Sequence, residues 1–179
     1  MHSLTLAIQG LLIVTLLIAV TTDLIAHKIY NWLTFPAILL GLALNGWRDG
    51  GAGLLFALGG IGVASLALLL FLLAGAMGAG DVKLLWAVGA LTGPVFTFWA
   101  LLGTALAGGL LGLLYAASRG ELAHTARNAL VGGHVFTTLG SAESLHGMAR
   151  TSRVGKMPYA PAIALGVAAV ALLRHLGVL

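Results

Sequence analysis

The chain has 179 residues, 60% of them hydrophobic and only 8% charged. A soluble domain carries about 25% charged residues, so this composition, with a mean hydropathy of +1.06, excludes a water-soluble globule and a disordered chain. The net charge of +4 rests on nine Lys and Arg scattered over the whole length; they form no basic stripe, and nucleic acid is not an expected partner.

Six apolar stretches predict an all-α, polytopic membrane protein with six transmembrane helices of about 20 residues each. The first runs from Leu4 to about Thr22. It is too long for a simple cleaved signal peptide and lacks the basic start of one. The second runs from about Asn31 to Trp47, with Pro36 in its first turns, where proline is tolerated. The third runs from Gly51 to about Ala76, and the fourth, shorter than the rest, from near Asp81 to Thr92 before Gly93-Pro94. The fifth runs from Pro94 to about Ala117 and the sixth from Pro158 to about Leu176. Between the last two lies one long loop, about residues 118–157, and within it Glu121 to Val131 carries apolar residues on roughly one helical face. That pattern suits a short helix lying on the membrane surface, and equally a solvated basic loop. No soluble domain fits beside the spans, so residues 1–179 read as a single membrane domain. The 26 glycines sit inside apolar segments, where small residues let helices approach closely; Gly108 and Gly112 have the spacing for such a contact.

Lys and Arg placement sets the expected orientation. The loops after spans one, three and five hold Lys28, Lys83, Arg119, Arg127, Arg150, Arg153 and Lys156, against Arg48 and Arg174 on the other side. The basic loops should face the cytoplasm, with both termini outside. Membrane lipids are then partners by default.

Only five residues are acidic: Asp23, Asp49, Asp81, Glu121 and Glu143. Asp49 follows Arg48, and a surface ion pair accounts for it. Glu121 and Glu143 fall in the long loop as solvated charges. Asp23 closes the first span and Asp81 opens the fourth, both at the expected cytoplasmic face. Ionisable groups beside membrane spans are costly and are functional candidates. Two carboxylates on separate helices at one depth can share a proton, one activating water while the other protonates a carbonyl oxygen. The bland alternative is a pair of solvated carboxylates at helix ends.

The chain has no cysteine, which rules out disulfides, Cys-based zinc sites and a thiol nucleophile. His124, His134 and His146 lack regular metal-site spacing, so no metal site is expected. Ser152 and Lys156 are four apart, a conceivable nucleophile pair, but Lys156 is accounted for by the charge bias of the loop. Lys28 and Lys83 suit lipid head groups or an acidic part of a substrate. Asn31 suits a cap on the second helix or a hydrogen bond within a site.

Asp81 stands in Gly78-Ala79-Gly80-Asp81, followed by Val82-Lys83-Leu84-Leu85. This is no dinucleotide loop, since Lys83 occupies the third glycine position and no strand precedes it. Glycine beside the carboxylate would let a substrate backbone lie close to it. The pattern resembles the GxGD membrane aspartyl proteases, and its surroundings are similar to the type IV prepilin peptidases. Asp23-Leu24-Ile25-Ala26-His27-Lys28-Ile29-Tyr30-Asn31-Trp32-Leu33 resembles their first catalytic segment, with Tyr30 where proline is usual. Gly78 to Leu85 resembles the second. Met157-Pro158-Tyr159-Ala160-Pro161-Ala162-Ile163 with Gly166 looks like the proline-containing start of the last helix.

The resemblance implies an aspartic endopeptidase of the bacterial inner membrane. Asp23 and Asp81 would be catalytic, and Gly78, Gly80, Lys83, Asn31 and Pro158 would shape the site or bind substrate. The substrate would be a prepilin or pseudopilin with a short basic leader, cut at the cytoplasmic face. No cofactor is implied. Larger members carry a Cys-rich insertion and an N-methyltransferase activity; a chain without Cys resembles the short, peptidase-only branch of tight-adherence (Flp) pilus systems. The helix-end dipoles would make Asp81, at a helix N-terminus, the water-activating base and Asp23, near a C-terminus, the proton carrier. An alternative reading is a small transporter or a pilus or secretion assembly scaffold, using the two Asp residues to bind protons or ions. Transporters place such groups near the bilayer middle, on broken helices, whereas here both stand at span ends.

Overall fold

A computed structural model describes residues 2–73, 78–118 and 159–178. Four helical runs follow one another: α1 (His2–Ala26), α2 (Asn31–Leu73), α3 (Ala79–Ser118) and α4 (Ala160–His175). The fold is all-α, and α1, α2 and α3 contain stretches long and apolar enough to cross a membrane. The candidate surface helix at Glu121 to Val131, the loop histidines, Ser152, Lys156 and Pro158 lie outside the described residues.

The count of six separate spanning helices needs correction: the described chain has four runs, three of them long enough to span and α4 a shorter apolar helix. The reason is that the expected boundaries after the second and fourth stretches are single residues, not loops. Gly50 (φ 61°, ψ −136°) breaks α2 and Gly93 (φ 77°, ψ 179°) breaks α3, with helix resuming directly on either side. Both conformations lie at positive φ, which glycine adopts without a Cβ clash.

These breaks turn the chain back on itself. Eight residues of continuous helix span about 12 Å, yet a Cβ on Gly53 would collide with the Asn45 carbonyl. The two arms of α2 therefore lie side by side. In α3, Gly108 packs 3.2 Å from the Tyr159 ring, measured from an added Cβ, and the charge of Asp81 also acts on Tyr159. Twenty-seven residues of straight helix would separate Asp81 and Gly108 by about 40 Å. Reversal at Gly93 brings them to one end of the molecule.

The first helix also runs further than its hydropathy indicates. It continues past Thr22 to Ala26, so Asp23 sits in its last turn. His27 ends it at φ 48°, its N–H reaching back to the Asp23 carbonyl at 2.9 Å.

Side chains on regular helical spacing build the core. Ile8, Leu12, Leu16 and Ala19 of α1 meet Leu84, Leu85, Val88 and Leu91 of α3 and Ile163, Val167 and Val170 of α4 in one buried cluster. Outward-facing residues are equally apolar, with Leu17, Ile25, Trp47 and Leu106 more than half exposed. In water such a surface would be an interaction patch; here hydrocarbon is the solvent. Since lipid is as apolar as leucine, helix association depends on close packing and buried hydrogen bonds. Gly60 and Gly89 put their backbones in direct contact, as do Gly103 and Gly166. Among the described residues, Gly108 packs on Tyr159 and Ala162, whereas a Cβ on Gly112 would meet nothing within 4 Å. Asn45, fully buried, donates its amide to Ala90 O at 2.9 Å and Gly41 O at 3.0 Å, tying the first arm of α2 to α3.

Candidate active site

The last turn of α1, the first turn of α3 and the head of α4 meet at one end of the bundle. Each carries a polar group into the junction.

Asp81 is the third residue of α3, and its side chain turns back so that Oδ2 accepts the Gly78 N–H at 3.0 Å. This is the reciprocal arrangement of a capping box, satisfying an amide that the helix itself leaves unpaired. A Cβ on Gly78 would lie 3.1 Å from that same oxygen, and one on Gly80 would lie 3.1 Å from the Ile29 Cβ. Gly80 therefore lets the head of α3 rest against the segment that follows α1. That approach brings Asp81 within the electrostatic reach of Asp23.

Asp23 is 6% exposed and Asp81 9%, so the carboxylates are largely withdrawn from their surroundings rather than solvated at the helix ends. Asp23 Oδ2 accepts the Ala160 N–H, the first amide of α4, at 2.9 Å. α4 has no cap from its own N-cap residue, Tyr159, and α1 supplies the acceptor instead. The dipole argument behind the expected division of labour loses its basis here. Asp23 does stand at the C-terminus of its own helix, but its carboxylate oxygen faces the N-terminus of another, where negative charge is favoured. Both carboxylates thus sit at helix heads, and the dipole argument no longer separates their roles. Among the described residues, no hydrogen bond occupies Oδ1 of either.

The remaining expected residues divide. Asn31 is the first residue of α2, and its Oδ1 accepts Lys83 Nζ at 2.8 Å rather than capping the helix. The Lys83 ammonium also lies 5.5 Å from the centre of the Phe35 ring. Asn31 and Lys83 therefore fasten the head of α2 to the first turn of α3, beside the pair. Pro158 lies outside the described residues. Asp49, as its sequence neighbour suggests, pairs with Arg48 at 2.7 Å in an exposed turn, away from this site. Among the described residues no three His, Asp or Glu gather as a metal set.

Two participants were not singled out from the sequence. Ala160 acts through its backbone amide, which no side-chain pattern reveals. Tyr159 precedes it, half-buried and within the field of Asp81; the only signal for it was its place in the proline-flanked segment before the last helix.

Two buried carboxylates from different helices, close enough to interact and each with one oxygen anchored by a backbone amide, can share a proton and act as acid and base. The sequence matches the type IV leader peptidase family over residues 10–114, a stretch that contains both aspartates. No curated protein and no solved structure matches the chain. With a match over more than half of its length that takes in Asp23 and Asp81, the chain belongs to the type IV leader peptidase family.

Proposed function

We propose that this protein is a membrane aspartyl endopeptidase that removes the short basic leader of a prepilin or pseudopilin, with Asp23 and Asp81 as its catalytic pair. The single observation carrying this reading is that the pair converges, buried, from the last turn of α1 and the first turn of α3. One carboxylate takes a proton from water as the water oxygen attacks the scissile carbonyl carbon. The other gives its proton to the carbonyl oxygen. Collapse of the tetrahedral intermediate breaks the C–N bond, and the proton gained by the first carboxylate leaves with the amine. Gly78 keeps side-chain bulk away from the Asp81 carboxylate and Gly80 lets the head of α3 rest on Ile29, while Asn31 and Lys83 hold α2 and α3 together.

The seven-to-two distribution of Lys and Arg supports a cytoplasmic position for the pair, with both termini on the other side of the bacterial inner membrane. The lack of cysteine supports the peptidase-only branch found with Flp pilus systems, in which any methylation of the product falls to another protein. The pair's position at helix ends favours hydrolysis over a transporter or scaffold role, for which midplane placement on a broken helix is the rule.

Co-expression with a candidate prepilin tests the proposal. The wild-type protein should convert the substrate to a form shortened by its leader, and Asp23→Asn and Asp81→Asn should each leave it full length while still inserting in the membrane. Substantial processing by either variant would refute the pair.

A further inference from the structure

A groove of about 610 Å³ opens on the side of the molecule, lined by α1 from Thr5 to Leu17, by α4 from Ala164 to Arg174, and by Arg48, Phe56 and a short stretch of α3. It lies toward the end remote from the aspartate pair. α1 and α4 meet at Asp23 and Ala160 at one end, and run antiparallel until Gln9 and Arg174 share the groove at the other.

Its dimensions select an occupant. At 1.5 Å per residue, the α1 wall is about 18 Å long and the α4 wall about 15 Å. Half the hydrocarbon thickness of a bilayer is about 15 Å. The groove therefore matches one leaflet, whereas a peptide helix crossing the membrane would need twice that length. Polarity is graded along it. Leu12, Leu16, Val167 and Ala168 line its apolar part, and Arg48 and Arg174 stand at its mouth.

The mouth is cationic. Arg48 bonds Asp49 through Nε at 2.7 Å and stacks 5.9 Å from the Phe56 ring centre. Arg174 stacks 5.2 Å from the Phe96 ring centre. The other two described acidic residues, Asp23 and Asp81, lie at the opposite end, so two guanidinium groups face one carboxylate. Guanidinium forks fit phosphate oxygens, and their weak hydration suits a site at the edge of hydrocarbon.

We propose that this groove binds one anionic glycerophospholipid of the leaflet opposite the aspartate pair, with an acyl chain along α1 and α4 and its phosphate at Arg48 and Arg174. This assignment does not depend on the catalytic reading of the pair.

Native mass spectrometry of the detergent-solubilised full chain, titrated with phosphatidylglycerol or phosphatidylcholine of identical acyl chains, tests it. The wild type should retain phosphatidylglycerol at least about fivefold more tightly, the effect of one surface guanidinium on an anionic lipid. Arg48→Gln and Arg174→Gln should each remove about that factor for phosphatidylglycerol and weaken phosphatidylcholine by less, because its choline ammonium already offsets part of the attraction of its phosphate. Ala168→Trp, which fills the apolar part from an exposed position, should weaken both lipids. Thermal unfolding of each lipid-free variant reports whether the fold is kept, and Arg174→Lys, which keeps the charge, should keep the lipid preference. Equal retention of the two lipids by the wild type, or undiminished phosphatidylglycerol binding by the double Arg variant or by Ala168→Trp, would overturn the proposal.

Discussion

Asp23 and Asp81 each commit one carboxylate oxygen to a backbone amide, of Ala160 and Gly78 respectively. These bonds fix where the pair sits, and both place negative charge at a helix head. With one carboxylate proposed as base and the other as acid, cleavage rate should follow a bell in pH. A single limb across the accessible range would show that only one carboxylate takes part. Under the proposed catalysis the two residues should be strongly non-additive. Asp23→Asn and Asp81→Asn should each lower cleavage on the order of 10⁴-fold, with the double variant no worse than either single, while Asp49→Asn should cleave normally. The two aspartates were legible because a membrane chain with five acidic residues leaves few candidates, and the glycines around Asp81 mark a tight approach. Their relative roles were not legible. Those depend on α4, whose first amide reaches Asp23 across 137 positions of sequence.

The glycines on facing helices carry the packing. A methyl group on Gly89 would land on the Gly60 carbonyl, while one on Gly62 would meet nothing within 4 Å. Gly89→Ala should therefore lower stability by about 1–3 kcal/mol, as overpacking does. Gly62→Ala should be neutral or stabilising by up to about 1 kcal/mol through helix propensity alone. Unfolding of both variants in detergent checks the contrast, and equal stabilities would refute the close contact of α2 and α3. At this scale the sequence marks where helices break, since Gly50 and Gly93 fall where turn residues interrupt apolar runs. It does not show that each break is a single residue within a continuing helical run. Nor does hydropathy place the end of α1: polar Thr22 and Asp23 end the apolar run, but the helix continues until His27 takes positive φ. The contacts at Gly60–Gly89 and Gly103–Gly166 were hidden for a different reason. Many small residues in one chain offer many possible pairings, and only the fold selects among them.

For the molecule as a whole, the aspartate pair and the arginine-mouthed groove occupy opposite ends. In the proposed orientation the aspartate end faces the cytoplasm. Reporter fusions after Arg150 should then register cytoplasm and fusions after Asp49 the outside; a periplasmic signal after Arg150 would contradict the orientation and the position of the site together. The all-α membrane class was legible from composition, because no soluble fold tolerates so little charge. The part played by α4 was not, because its first amide reaches Asp23 only through the fold. The central claim is that the converged pair is the catalyst, and it is tested most directly with purified protein in lipid and a synthetic prepilin, the products read by mass spectrometry. The account predicts one cut at the leader boundary by the wild type and none by Asp23→Asn or Asp81→Asn; cutting at the wild-type rate by either variant would contradict it.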